Sequence, residues 1–79
     1  MLTPEFELYG TSTCQYTAQM REDLEWRRVK FIEYDVESDT EALDRMISLC
    51  KGNRTVPVLV ERGRVIQVGV EGRGCYVSH

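Results

Sequence analysis

Polar and apolar positions along the chain fall into short periodic blocks. Over residues 5–9 (EFELY) they alternate, the period of a half-buried strand. Gly10 to Thr13 interrupts the alternation with turn formers. From Gln15 to Arg28 the residues Tyr16, Met20 and Leu24 recur at helical spacing, and Ala18 and Trp26 widen the stripe. A helix is predicted there, with N-cap candidates among Thr11 to Thr13. Val29 to Tyr34 has the β-branched and aromatic content of a strand.

Asp35 to Asp39 reads as a turn, with Ser38 or Asp39 as the cap of a second helix and Glu41 in its first turn. Ala42, Leu43, Met46, Ile47 and Cys50 share one helical face, and Gly52 stands where a left-handed residue ends a helix. Val56 to Val60 is a strand opened by Pro57. Gly63 marks a hairpin turn over residues 61–64, and Val65 to Val68 returns. The glycine-rich stretch after Gly69 reads as a loop or short turn. The order is therefore βαβαββ. Its first two strands are parallel through a right-handed crossover, and its last two form an antiparallel hairpin. The expected architecture is α/β, a mixed four-stranded sheet packed by helices, followed by a short irregular tail.

Composition sharpens this only modestly. With 79 residues the chain has room for one domain, 1–79, and 42% hydrophobic residues argue against disorder. Ten Lys and Arg against 13 Asp and Glu give a net charge of -3. That balance lacks the basic excess of a nucleic-acid binder. No apolar run reaches membrane-spanning length, and the first residues have no signal-peptide pattern. The expectation is a monomeric cytoplasmic protein with no membrane partner, whose thiols stay reduced unless used. Its three cysteines, Cys14, Cys50 and Cys75, match neither a secreted disulfide framework nor a structural zinc site, so no metal ligands are assigned.

The candidate chemistry centres on Cys14. It falls at the start of the first helix, where unpaired amides and the positive end of the helix dipole favour a thiolate. The thiolate is the nucleophilic form, and helix N-termini lower a cysteine's pKa below its free value of about 8.5. Thr17 stands one helical turn on, with two readings open: its hydroxyl points at the Cys14 sulfur and favours the charged form, or it is plain helix surface. Pro57 begins a strand and cannot donate to a ladder; if the bond before it is cis, Val56 presents an exposed edge for an extended peptide, and if trans it simply opens the strand. Cys50 is expected to pack in the core, Trp26 and Tyr34 likewise. Cys75 lies in a tail read as flexible, from which reach to Cys14 is one option, and His79 is expected to be mobile.

Together, LYGTSTCQYT over residues 8–17 and GNRTVPVLV over residues 52–60 resemble the glutaredoxins, within the thioredoxin-fold superfamily. The order of elements agrees up to about Gly69. Gln15 and Thr17 stand where the family's motif has proline and a second cysteine. Cys-x-x-Thr is similar to a bacterial glutaredoxin-like group with selenoprotein relatives. The resemblance implies a thioredoxin-like (glutaredoxin) fold with Cys14 as nucleophile and Tyr16 as its flanking aromatic. It implies a cis Pro57 beside Cys14, glutathione's cysteinyl part paired with the Val56 backbone, and Thr55 beside it. Lys51 and Arg54 are placed to approach a glutathione carboxylate.

The implied activity is glutathione-linked thiol–disulfide exchange on mixed disulfides. It follows a monothiol mechanism, because Thr17 lets no disulfide close within the motif. Glutathione then serves as co-substrate, and glutathionylated proteins and a glutathione reductase or thioredoxin system are the partners. Two alternatives stand beside it. One is a peroxide- or electrophile-reactive Cys14, resolved by Cys75 and reduced by a thioredoxin-type system. The other is an iron–sulfur carrier or adaptor.

Overall fold

The computed structural model describes residues 5–77; His79 lies outside them. The elements are β1 (Phe6–Gly10), α1 (Gln15–Trp26), β2 (Ile32–Asp35), α2 (Thr40–Leu49), β3 (Thr55–Val56), β4 (Val58–Glu61), β5 (Arg64–Val68) and β6 (Cys75–Tyr76). The main sheet has four strands in the order β2-β1-β4-β5. β1 pairs parallel with β2, Glu7 opposite Ile32, and antiparallel with β4, Leu8 opposite Leu59. β4 and β5 form the predicted hairpin around Arg62 and Gly63, both at positive φ, as a two-residue hairpin turn of the favoured twist requires.

The two central strands carry apolar residues on both faces because a helix covers each side. Leu8 and Leu59 meet Met20 and Leu24 of α1 in one cluster. Tyr9, Val58 and Val60 meet Leu43 and Met46 of α2 in the other, with Val36, Val56 and Val77. Each large apolar side chain fully withdrawn from water stabilises the fold by about 1.5–3 kcal/mol. On the α2 side a polar pin adds to this. Tyr9 and Tyr34 stack at 5.1 Å between ring centroids. Their hydroxyls donate to the two Glu7 carboxylate oxygens at 3.3 and 3.2 Å, and Arg45 Nε donates to the Tyr9 hydroxyl at 3.4 Å. Burial, first of all, raises both tyrosine pKa values, so both hydroxyls keep the protons they donate.

Several expectations need correction. The first helix stops at Trp26, and Arg28 then takes a left-handed φ of 59°. Arg28 N donates to Glu25 O at 3.0 Å and Val29 N to Leu24 O at 2.9 Å, which closes the helix end. Val29 is thus spent on the cap and the second strand starts only at Ile32. Trp26 is 87% exposed, because it lies off the Met20–Leu24 stripe. The second helix is capped by Asp39, which accepts from Ala42 N at 3.1 Å, and its left-handed end begins at Lys51, one residue before Gly52. The strand expected from Val56 to Val60 is broken at Pro57, which has no N–H to give a ladder. The Val56–Pro57 peptide bond is cis.

The tail is ordered where a loop was expected. Val70 and Arg73 pair across a tight turn with Glu71 and Gly72 at positive φ, and the returning β6 pairs antiparallel with β3. Among the described residues no helix is long and apolar enough to cross a membrane.

Two substitutions test this account. Arg28→Gly removes the left-handed penalty and should raise stability by roughly 0.5–1 kcal/mol in urea unfolding; a loss of stability would contradict the cap. Gly10→Ala places a methyl against Thr17, whose Oγ1 would lie only 2.6 Å away. It should cost about 1–3 kcal/mol, and an unchanged unfolding midpoint would show that the contact is not tight.

Candidate active site

The reactive end of the molecule is assembled by the start of α1, the Pro57 corner and the tail. Cys14 is itself the N-cap of α1, in place of the threonines before it, with φ -86° and ψ 119°. Its carbonyl oxygen accepts from Ala18 N at 3.2 Å, so the helix starts immediately behind it. No acidic residue stands in the first turn of α1, so no neighbouring carboxylate there opposes negative charge at Cys14. The unpaired amides of that turn and the helix dipole both favour a thiolate when the sulfur is free.

Thr17 is fully buried, not on a helix surface. Its hydroxyl accepts from Thr11 N at 3.4 Å, and its side chain lies over Gly10. The hydrogen bond found for it thus serves the backbone turn before Cys14, whereas one reading of the sequence placed it on the sulfur.

Tyr16 is half-buried against the same cluster that holds Cys14, Val56 and Val77. Thr55 and Val56 form β3, with Val56 fully buried, and Pro57 O accepts from Gly69 N at 2.7 Å. Asn53 Oδ1 accepts from Thr55 N at 2.9 Å and sets the entry to β3. Arg54 is half-buried and uses its carbonyl oxygen to accept from Val77 N at 3.0 Å, while Lys51 is exposed. The structure therefore gathers Cys14, Tyr16, Thr55, Val56 and Pro57 around one corner, with Arg54 just before it.

The Val56 edge is not open. Cys75 lies opposite Val56, and Tyr76 opposite Thr55. Cys14 and Cys75 are joined by a disulfide with Cα atoms 6.1 Å apart, across a sequence separation of 61 residues. No disulfide closes within the Cys-x-x-Thr motif, yet one closes onto it from the tail. The sequence signal for this partner was weak: a cysteine next to glycine in a segment without periodicity. Cys50 remains a free thiol at the C-cap of α2, half-buried, and burial pushes its pKa up. It packs against the core as expected.

Comparison with known proteins agrees with this construction. Residues 6–66 match the sequence profile of the Glutaredoxin family. A glutaredoxin-named protein of Synechocystis sp. is 39% identical over 51 residues, which cover 65% of this chain and 47% of that protein. A glutaredoxin-named protein of Mycobacterium tuberculosis is 34% identical over 59 residues, 75% of this chain and 70% of the relative. The chain thus spans about half the length of the first of these relatives. Among solved structures, the glutaredoxin from Archaeoglobus fulgidus superposes with a TM-score of 0.76 at 23% identity, covering 87% of this chain and 78% of its own. A thioredoxin-like protein, solved as a point mutant, gives 0.73 at 24% identity, covering 84% of this chain and 83% of its own. The last two establish the thioredoxin-like fold, and the sequence match over residues 6–66 establishes more: the chain belongs to the glutaredoxin family.

Proposed function

We propose that the protein is a thiol–disulfide oxidoreductase in which Cys14 is the nucleophile and Cys75 the resolving thiol. The observation that carries this reading is the Cys14–Cys75 disulfide at the N-terminus of α1. In the reduced protein the Cys14 thiolate attacks a substrate disulfide. A bond forms between Cys14 and one substrate sulfur, the substrate S–S bond breaks, and the other sulfur leaves as a thiolate that takes up a proton. Cys75, deprotonated, then attacks the Cys14 sulfur and releases the second substrate thiolate. The substrate gains two electrons and the protein retains the Cys14–Cys75 disulfide. An external thiol, glutathione or a thioredoxin-type dithiol, returns both cysteines to the reduced form.

Glutathione enters this scheme as a co-substrate. Tyr16, Arg54, Thr55, Val56 and Pro57 supply an aromatic wall, a cation and a backbone edge next to Cys14, which suits a small cysteinyl peptide. Family membership supports partners of this class. In the monothiol route Cys14 exchanges with a glutathione mixed disulfide, and a second glutathione releases it. That route needs the edge that Cys75 and Tyr76 occupy, so it runs only while the tail is undocked. The Cys14–Cys75 disulfide favours the resolved cycle over the monothiol one in the intact chain.

Substitution separates the steps. Cys14→Ser should lower reduction of a glutathione mixed disulfide, coupled to glutathione and glutathione reductase, by about 100-fold or more, as loss of a nucleophile does. Cys75→Ser should retain Cys14 reactivity and accumulate a Cys14–glutathione adduct visible by intact mass spectrometry. A Cys75→Ser protein that accumulates no more adduct than wild type would contradict the resolving role. Full activity in Cys14→Ser would remove the nucleophile assignment itself.

A further inference from the structure

β6 reaches Cys14 as a paired strand, and a steric rule comes with the pairing. Cys75 lies opposite Val56, Tyr76 opposite Thr55, and Val77 N extends the ladder to the Arg54 carbonyl oxygen at 3.0 Å. On the other side of Cys75 stands Gly74. A Cβ at Gly74 would strike the Val56 carbonyl oxygen and come within 2.7 Å of Thr55 Cγ2. The first obstacle is backbone and cannot swing aside. Gly74 is not among the glycines at positive φ, so close approach, not backbone conformation, excludes a side chain there. Beyond the cysteine the rule relaxes. Tyr76 is 72% exposed, so a large residue fits at that position.

We propose, resting on Cys14 as nucleophile, that the Thr55–Val56 edge binds an extended cysteinyl segment in which the carbon before the cysteine's peptide bond is an unbranched CH2. Residues 74–76 are its resident occupant. Main-chain pairing supplies the affinity and the clearance at the preceding residue supplies the selectivity. Two sources present this chemistry. One is a protein disulfide whose cysteine follows glycine. The other is glutathione, whose γ-linked glutamyl residue offers a CH2 to the peptide carbonyl. A cysteine after alanine or any larger residue is disfavoured.

Occupancy of the edge is exclusive. β3 and β6 are two residues each, a ladder too short to hold without the covalent bond. Reduction of Cys14–Cys75 frees the edge, and an incoming cysteinyl segment takes the place of β6. Cys14 attacks the sulfur of that segment, the old S–S bond breaks, and its partner sulfur departs with the electron pair as a thiolate. When Cys75 resolves the mixed disulfide, the segment leaves as a thiolate and β6 re-forms on the edge.

The test uses the full chain carrying Cys75→Ser, reduced, with the Cys14→Ser/Cys75→Ser protein as the control for Cys50. The probes are mixed disulfides of 5-thio-2-nitrobenzoate with four thiols: N-acetyl-Gly-Cys-Tyr-amide, N-acetyl-Ala-Cys-Tyr-amide, glutathione and N-acetylcysteine. Release of the coloured thiolate gives the rate. The glycyl peptide should react about tenfold or more faster than the alanyl peptide, the discrimination expected from overpacking a tight contact. Given that result, a fast glutathione probe assigns the edge to both sources and a slow one assigns it to protein segments.

Equal rates for the glycyl and alanyl peptides would overturn the rule while leaving Cys14 a nucleophile. No reaction with any of the four would remove the nucleophile reading and this proposal with it. A second variant covers the case in which the tail carrying Cys75→Ser still docks. Gly74→Ala in the otherwise native chain should slow closure of Cys14–Cys75 by about tenfold, with the rate of Cys14 alkylation by iodoacetamide unchanged. Closure at the native rate would equally overturn the proposal.

Discussion

The reactive end depends on the contact between Gly10 and Thr17. Gly10 ends β1 without a side chain, and the fully buried Thr17 settles into the space a Cβ would fill. Its hydroxyl takes the Thr11 N–H, so the buried polar atom is satisfied and the turn between strand and helix is held. Sheet and first helix are thereby fixed at the point where Cys14 begins α1. A larger residue at position 10 or a longer one at position 17 would lift the helix start off the sheet. The sulfur would then move away from β3.

Pro57 imposes the second constraint. It separates Thr55–Val56 from the main sheet and leaves a two-residue edge beside Cys14. In the oxidised protein the chain satisfies that edge itself. The tight turn between Val70 and Arg73 reverses the direction of the tail, and β6 completes a small second sheet. Val77 then buries its side chain in the cluster that also holds Cys14 and Val56. The tail is anchored by two paired residues, one buried valine and one covalent bond. Of these, the covalent bond is the one a thiol reverses. In the proposed cycle the thiol that resolves the intermediate is therefore also the residue that covers the Val56 edge.

Much of this was legible in the sequence, for identifiable reasons. Alternation in residues 5–9, the Met20–Leu24 stripe and the Ala42–Met46 face report burial directly, and burial is what the sheet and helices are made for. Cys14 stood out because a strand, a turn and a helix start are all local patterns. The contact of Thr17 with Thr11 N was not legible because it is set by a close approach to Gly10 that no periodicity encodes. Trp26 was misread because it lies off the Met20–Leu24 stripe, and the end of that helix was missed because a left-handed arginine, Arg28, carries no stop signal. The tail was underread for a related reason. A two-residue strand has no period to detect, and its pairing spans some 20 residues, from Thr55 to Tyr76.

The most direct measurement is a count of free thiols after reaction with substrate. The reduced wild-type protein is mixed with an excess of a disulfide substrate, quenched with acid, unfolded, alkylated and mapped by peptide mass spectrometry. The account predicts alkyl label on Cys50 alone and a peptide pair joined through Cys14 and Cys75. Label on Cys75, with Cys14 held as an adduct of the substrate, would contradict it.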